Sequence, residues 1–298
     1  MQQNDRHGLI WALCGFALLS CGDAVVKTMT GLWAPTAMAA LRYVLGALGL
    51  GALLLMREGR AGFAMPLPAI QLLRGAAVAM ATIGFFSAIA FMPLATATAI
   101  TFTSPMITAI LSALFLGEPA RRETWVATVI AFIGVLIILR PNFALLGFAA
   151  LLPLLSAVGM SLLMIGNRVS AGRASPLASQ FFVAIWAAPV LVLATVLGAR
   201  SGLSHLAVPM PHWSVIARCA VVAVSASIAH YAIFQGTARA GAATVAPMTY
   251  VQLLIAILFG LVLFGDRPDS LTLLGAALII GSGLWLWRAG RMPEEIVQ

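Results

Sequence analysis

Apolar runs of about twenty residues, separated by short connectors, fill almost the whole chain of 298 residues. A run of this length is what an α-helix needs to cross the hydrocarbon core of a bilayer. The pattern therefore predicts an all-α polytopic membrane protein with ten transmembrane helices, the first of them retained and not cleaved as a signal. The predicted spans are residues 8–28, 34–55, 71–92, 95–116, 122–139, 143–165, 176–198, 213–235, 242–264 and 270–288.

The composition excludes soluble classes of protein. Hydrophobic residues make up 62% of the chain and charged residues only 9%, whereas a soluble domain carries roughly 25% charged residues. The net charge of +8 does not indicate a nucleic-acid partner, because the arginines are scattered between apolar runs and form no single patch. No Cys/His cluster has metal-site spacing, so neither a metal nor another cofactor is predicted.

One stretch occurs twice, about half a chain apart. Each copy begins with small residues, carries a Pro-Met pair inside an apolar run, and ends at a Gly-acid pair. The pairs are Pro105-Met106 and Gly117-Glu118 in the first copy, and Pro247-Met248 and Gly265-Asp266 in the second. A repeat at this separation predicts two related five-helix halves, residues 1–141 and 142–298.

The number of spans in each half determines how the two halves are oriented in the membrane. Because five is odd, the two halves begin on opposite sides of the membrane, so the duplication must be inverted. Span ends on the side of the N-terminus carry eleven arginines, and the opposite ends carry five Lys or Arg residues. Positive charge concentrates on the cytoplasmic side, and both termini are therefore predicted to be cytoplasmic.

Pro105 and Pro247 lie inside predicted spans. Each removes a hydrogen bond to the carbonyl four residues earlier, and a free carbonyl at membrane depth must be satisfied by protein or by a water-filled cavity. We therefore predict two kinks that line one shared cavity. Kinks that serve packing alone are the alternative.

Ionisable residues at membrane depth are candidates for function. Asp23 and Arg42 are predicted to lie at similar depths and to face each other, either as a structural ion pair or as a site for substrate or protons. Lys27 is predicted to extend to the interface. Glu118 and Asp266 are predicted to cap the helices that follow them, and proton coupling is the alternative.

Other candidates for the cavity wall are polar or adaptable side chains within the spans. Plain helix packing is the alternative for the apolar ones, and a structural histidine is the alternative in the eighth span. These candidates are Thr82, Phe86, Met164, His230, Gln235, Tyr250 and Gln252. No phosphate loop and no hydrolase or metalloprotease motif is present, so no catalytic residue is predicted.

The two motifs, together with Arg42 after Pro35 and Arg74 before Gly75, resemble the repeats of the drug/metabolite transporter superfamily. More narrowly, they resemble its ten-helix EamA-type bacterial metabolite exporters. The resemblance implies a bacterial inner-membrane protein with a central cavity formed mainly by helices one to four and six to nine, and alternating access. In one respect the chain departs from many relatives: Asp266 follows Pro247 at a longer spacing, of nineteen residues.

The resemblance implies export of small metabolites by secondary transport, and we expect amino acids, aromatic or otherwise neutral, as substrates. Protons are a candidate coupling ion, and a monomer or weak dimer is expected. A multidrug transporter or a transporter of vitamins or nucleotide derivatives is an alternative. Outside transport, the alternatives are an integral-membrane enzyme and a scaffold.

Overall fold

The computed structural model describes residues 3–117, 122–170, 172–240 and 246–289, and in these ranges every regular element is a helix. The α-helices are α1 (Gln3–Lys27), α2 (Pro35–Glu58), α3 (Pro68–Phe91), α4 (Leu94–Thr101), α5 (Ser104–Leu116), α6 (Arg122–Leu146), α7 (Leu152–Ser170), α8 (Pro176–Arg200), α9 (Trp213–Ala240), α10 (Val251–Phe264) and α11 (Ser270–Ala289). Short 3-10 segments cover Gly59–Phe63, Gly147–Leu151, Ser204–Leu206 and Ala246–Tyr250.

The helices have the length and apolarity that a bilayer requires. Seven stretches of the described chain can cross a membrane by length and composition, and three shorter apolar helices accompany them. The shorter ones are Trp125–Ile138, Met248–Phe264 and Ser270–Trp285. The prediction of an all-α polytopic membrane protein is thus confirmed.

Helices pack mainly on partners from the other half of the chain. The largest such contacts are α1 with α9, α2 with α8, α3 with α7 and α6 with α11, and α4 also contacts α10. We compared these pairs after renumbering spans one to five as six to ten, and spans six to ten as one to five. The renumbered set contains the same contacting pairs, as expected for an inverted repeat. The division between residues 141 and 142 stays a prediction, and α6 runs through it without a break.

Glycines bring the paired helices into backbone contact. A Cβ on Gly159 of α7 would lie 2.6 Å from the Ala81 nitrogen and 2.7 Å from the Ala77 oxygen, both in α3. A Cβ on Gly15 of α1 would lie 2.7 Å from the Ala229 oxygen in α9. Such close approach is available only to residues without a side chain, and it increases the van der Waals contact between membrane helices.

The spans that contain Pro105 and Pro247 are interrupted instead of kinked. Helix α4 ends at Thr101 and α5 begins at Ser104, which places Pro105 in the first turn of α5, where its missing amide hydrogen has no helical partner to lose. Pro247 lies in the 3-10 segment Ala246–Tyr250, directly before α10. The predicted kinks therefore correspond to new helix starts.

The two interrupted spans also end alike. Gly117 and Gly265 follow α5 and α10 with left-handed φ values of 66° and 67°, a conformation that favours glycine. The helices between break and cap have similar lengths, 13 and 14 residues. The 3-10 segment accounts for the longer spacing between Pro247 and Asp266. The second copy therefore has a helix of similar length, with the 3-10 segment added before it.

We predict that Gly159→Ala destabilises the fold by about 1–3 kcal/mol, because α3 and α7 must separate to admit the methyl group. Thermal unfolding in detergent would measure this. Gly281→Ala in α11 is the matched control, since no atom lies within 4 Å of the added Cβ. Equal unfolding temperatures for the two variants would contradict the prediction.

Candidate functional site

A cavity of about 130 Å³ lies inside the bundle, between α2, α3, α7, α8 and α9. This volume accommodates several water molecules. We call the end of the bundle where α1 begins the near end, and the opposite end the far end. The lining extends from Arg42 and Ala223 at middle depth to Arg74, Asn167 and Gln180 toward the near end. These five helices all belong to the set expected from the family resemblance.

Arg42 supplies a cavity charge that pairs with no carboxylate of the described residues. It lies about 10 Å along α2 from the far end, at 1.5 Å per residue. Its guanidinium carbon is 5.1 Å from the ring centre of Tyr43 and 5.6 Å from that of Phe86, and such contacts stabilise a cation moderately. Among the described residues it makes no hydrogen bond or ion pair. Its donors are therefore available to a ligand.

Asp23 is near Arg42 but is not bonded to it. Asp23 in α1, and Cys219 and His230 in α9, lie within electrostatic range of Arg42. Asp23 and Arg42 nevertheless form no ion pair within 4.0 Å. The structural ion pair considered from the sequence is therefore absent, and a role for Asp23 in binding substrate or protons stays a prediction.

Arg74, also in the cavity lining, donates a hydrogen bond from each of its three guanidinium nitrogens. Its Nε donates to Asn167 Oδ1 at 2.8 Å and its Nη2 to Ser179 Oγ at 2.9 Å, while Nη1 donates to Gln71 Oε1. The side chain is 3% exposed. These bonds join α3, α7 and α8 near the end where the cavity lies, so Arg74 is a structural cation and Arg42 an available one.

Two further predicted candidates, His230 and Met164, line the cavity. His230 Nδ1 lies 2.7 Å from the Ala226 carbonyl oxygen one turn earlier. This contact satisfies one ring nitrogen, as a structural histidine would. Nε2 makes no hydrogen bond with any described residue, so the ring keeps one group for water or a ligand.

Thr82 and Phe86 lie behind Arg42. Thr82 Oγ1 donates to the Val78 carbonyl at 2.8 Å and lies 3.3 Å from the Tyr43 hydroxyl. Phe86 is 2% exposed and packs in the main hydrophobic core. Neither belongs to the cavity lining. Each contacts a residue that does: Thr82 contacts Tyr43, and Phe86 contacts Arg42.

Gln235 is part of a separate cluster at the near end. Its Nε2 donates to the Tyr231 hydroxyl at 2.6 Å, and its Oε1 accepts from Arg239 at 2.6 Å. Arg239 in turn lies 5.9 Å from the ring centre of Trp11 in α1. These contacts connect α9 to the start of α1, away from Arg42.

Tyr250 and Gln252, at the start of α10, contact the other half. Tyr250 packs edge to face on Phe102, with centroids 5.6 Å apart. The main-chain carbonyl of Gln252 accepts from Ser20 Oγ at 3.0 Å. Neither residue, nor Pro105, belongs to the cavity lining, and the ring of Pro247 lies outside the described side chains. A cavity shared by the two prolines stays a prediction.

The far end is held by a partly buried ion pair between the halves. Lys27 Nζ lies 2.6 Å from Asp266 Oδ2, with side-chain exposures of 11% and 26%. The same ammonium group donates to the Met92 carbonyl at 3.3 Å and lies 5.0 Å from the ring centre of Phe264. The prediction that Asp266 caps the next helix was therefore wrong, whereas the extension of Lys27 to the interface stays a prediction.

Asp269 takes the capping role instead. Its Oδ1 accepts from the Thr272 amide at 2.8 Å at the start of α11. Hydrogen bonding from the Thr272 hydroxyl and, to a lesser extent, from the Thr272 amide stabilises the carboxylate and lowers the pKa of Asp269. Asp266 is thereby free to pair with Lys27. Glu118, its counterpart in the first copy, lies outside the described residues.

Further contacts between the halves surround this pair. Arg218 Nη1 donates to the Thr28 carbonyl at 3.2 Å, and Trp33 Nε1 donates to the Pro209 carbonyl at 3.0 Å. Contacts of this kind close the far end, whereas the cavity lies toward the near end. The sequence did not predict the pairing of Lys27 with Asp266, although it placed both residues on the same side of the membrane.

Asn167 and Tyr43 were also missed as site residues. Asn167 gave a usable signal, because an amide one turn before the end of a membrane helix needs a partner. Tyr43 gave little, since a tyrosine near a helix end is commonly an interfacial anchor. In the described part of the chain, no group of three or more His, Cys, Asp and Glu residues is arranged to hold a metal ion.

The fold and the cavity define a class: multi-pass membrane proteins with a cavity, lined by apolar and polar side chains, between two paired halves. Residues 6–140 and 147–288 match the EamA-like transporter family, and the chain belongs to that family. The sequence-based recognition of this family is confirmed. Membership indicates a transporter of metabolites and not an enzyme.

Relatives with named functions carry different substrates. A "Riboflavin transporter" of Rhizobium johnstonii is 30% identical over 94% of this chain and 91% of its own length. An "S-adenosylmethionine uptake transporter" of Rickettsia bellii is 27% identical over 74% and 72%. The "Pseudopaline exporter CntI" of Pseudomonas aeruginosa is 25% identical over 92% and 94%. Their names include both uptake and export.

A protein of known crystal structure has the same fold. It aligns with a TM-score of 0.66 over 96% of this chain and 99% of its own, at 20% sequence identity. At this identity the likeness concerns the fold alone.

The two cavity arginines predict opposite responses to the same substitution. Arg74→Gln leaves three polar partners without their donor, and we expect a loss of about 3 kcal/mol in stability. Arg42→Gln breaks no hydrogen bond and should leave thermal unfolding in detergent nearly unchanged. Equal destabilisation by the two substitutions would contradict the assignment of one structural and one available arginine.

Proposed function

We propose that this chain is a secondary transporter for a small metabolite that carries an anionic group, and that amino acids are its first candidate substrates. The observation that carries the proposal is Arg42, a cavity guanidinium without an anionic partner. The lining contains two arginines and His230 but no carboxylate among its described residues. A cavity of this charge favours a substrate carboxylate or phosphate over an organic cation.

The surroundings of Arg42 fit an amino acid in particular. Guanidinium groups bind carboxylates through two parallel hydrogen bonds, and the carboxylate of an amino acid has this geometry. Asp23 lies within electrostatic range on the α1 side, where it is suited to the ammonium group or to a proton. Met160 and Met164 supply an adaptable apolar wall for a neutral or aromatic side chain.

Vitamin transport is the second candidate. It is favoured by the riboflavin transporter of Rhizobium johnstonii, which is 30% identical over nearly the whole chain. Riboflavin has no carboxylate, so Arg42 would donate to ring carbonyls and the charge dependence would be weaker. The two candidates therefore differ in how strongly transport depends on Arg42.

Counterflow in proteoliposomes tests the proposal without a driving force. Vesicles loaded with unlabelled phenylalanine should accumulate labelled phenylalanine, and phenylalaninamide should not compete. Arg42→Gln should raise KM about tenfold or more, because a charge-assisted hydrogen bond is lost. Riboflavin exchange without phenylalanine exchange would favour the vitamin candidate. If neither compound exchanges, the amino-acid and vitamin assignments both fail.

Direction and coupling belong to the same proposal. We infer export from the cytoplasm, with both termini cytoplasmic in a bacterial inner membrane and one chain forming the whole site. Repeating the counterflow experiment as net efflux, with and without a pH gradient, tests proton coupling. Asp23→Asn should abolish any response to the gradient. An unchanged response would remove Asp23 from proton transfer.

We further propose alternating access, with the Lys27–Asp266 pair as the closure of the far end. The pair joins α1 to the segment after α10, and the Met92 carbonyl extends the contact to α3. Opening the far end requires the pair to separate. Separation of a partly buried pair costs energy unless water or substrate replaces the partner, so the pair stabilises the conformation with the far end closed.

Loss of the pair should therefore open the far end more often. In a cysteine-free background with Ser227→Cys in the cavity, Asp266→Asn is expected to raise maleimide labelling from the far side several-fold. Asp269→Asn is the matched control, because that carboxylate is exposed and contacts only the start of α11. Labelling that is equal in Asp266→Asn and the control would remove the pair from gating.

A further inference from the structure

An apolar groove runs along the outside of α2 and α8 and is separate from the cavity. It has a volume of about 610 Å³, and every residue that lines it is apolar. Val44, Gly51 and Leu55 of α2 form one wall, Phe181 and Pro189 of α8 form the other, and Phe63 closes it at the near end. The neighbouring residues Gly46 and Leu50 of α2 line the cavity, so one helix separates the two spaces.

Three residues give the groove its shape. A Cβ on Gly51 would lie 3.0 Å from the ring of Phe181, so the glycine allows the ring to lie against α2. Phe63 packs edge to face on Phe181, with centroids 5.2 Å apart. The groove is therefore bounded by fixed side chains at the near end and remains open along its side.

The length of the groove matches one leaflet of a bilayer. Val44 and Leu55 are eleven residues apart, which is about 16 Å along a helix. The hydrocarbon core of a bilayer is about 30 Å thick, so the groove spans half of it, beginning at the near end. A single extended acyl chain has this length and this chemistry.

Positive charge surrounds the near end of the groove. Glu58 at the end of α2 accepts from Ser175 Oγ at 2.6 Å, which joins this end to the start of α8. Arg57, Arg60 and Arg173 flank these two residues in sequence, and all three are exposed. In the part of the chain that the structure describes, their side chains make no hydrogen bond or ion pair. The near end of the groove therefore carries three arginines and one carboxylate.

We propose that this groove binds an anionic glycerophospholipid, with one acyl chain between α2 and α8 and the headgroup phosphate beside Arg57, Arg60 and Arg173. Basic residues at the end of a groove between membrane helices attract anionic headgroups. An acyl chain supplies the apolar contact that the groove lacks, and it completes the packing of α2 on α8. The proposal does not depend on which metabolite the cavity takes.

Native mass spectrometry of the purified chain with dioleoylphosphatidylglycerol or dioleoylphosphatidylcholine tests the headgroup preference. The anionic lipid should bind about tenfold more tightly. The double variant Arg57→Gln/Arg60→Gln should lose this preference. The double variant Arg200→Gln/Arg267→Gln, at exposed positions of the far end, should keep it. Equal binding of the two lipids by the unmodified chain, or an unchanged preference in Arg57→Gln/Arg60→Gln, would overturn the proposal.

A second variant tests the groove itself. Ala52 lines it and is exposed, so Ala52→Phe should fill the space and weaken binding of phosphatidylglycerol several-fold. Ala199→Phe, on an exposed position of α8 near the far end, is the control and should bind as the unmodified chain does. Unchanged affinity in Ala52→Phe would overturn the proposal. The proposal would also be overturned if the unmodified chain formed dimers without bound lipid and Ala52→Phe abolished them. That result would indicate that a second copy of the chain occupies the groove. Thermal unfolding of each variant confirms that it is folded.

Discussion

The contact between glycine and the backbone of a facing helix is the constraint on which this bundle depends. In a bilayer no hydrophobic force drives helices together, so stability must come from close packing. The glycine contacts of α1 with α9 and of α3 with α7 both join opposite halves of the chain. Gly134 of α6 and Gly275 of α11 likewise approach each other's carbonyl oxygen. The cavity is the space left between helices whose separations these contacts fix.

The cationic side chains inside the bundle differ in the polar and aromatic groups that surround them. Arg74 is surrounded by three acceptors, and Lys27 by a carboxylate, a carbonyl and an aromatic ring. Among the described residues, Arg42 has only aromatic faces and the more distant charge of Asp23 around it. Because a buried cation needs a partner, this contrast separates the two structural cations from the residue that is available for a ligand.

The sequence predicted the fold well and the site in part. Span number and helical class follow from the length and apolarity of the runs, which bilayer thickness constrains directly. Arg42, His230 and Met164 do lie at the cavity, since ionisable or adaptable residues at depth give a signal. Asp23, Thr82, Phe86, Gln235, Tyr250 and Gln252 lie outside the cavity lining. In an apolar chain the two faces of a helix differ little in hydrophobicity, so the sequence does not reveal which face lines a cavity. The pairing of Lys27 with Asp266 depends on tertiary contact across 239 residues, which local pattern does not encode.

The pairing of helices across the chain also bears on how the protein is made. Gly15 of α1 contacts Ala229 of α9, so a partner for α1 is synthesised about 200 residues later. At roughly 5–20 residues per second of translation, α1 waits some tens of seconds in the membrane with its glycine face against lipid or the insertion machinery. A chain stopped before α9 would leave that face without the helix that covers it.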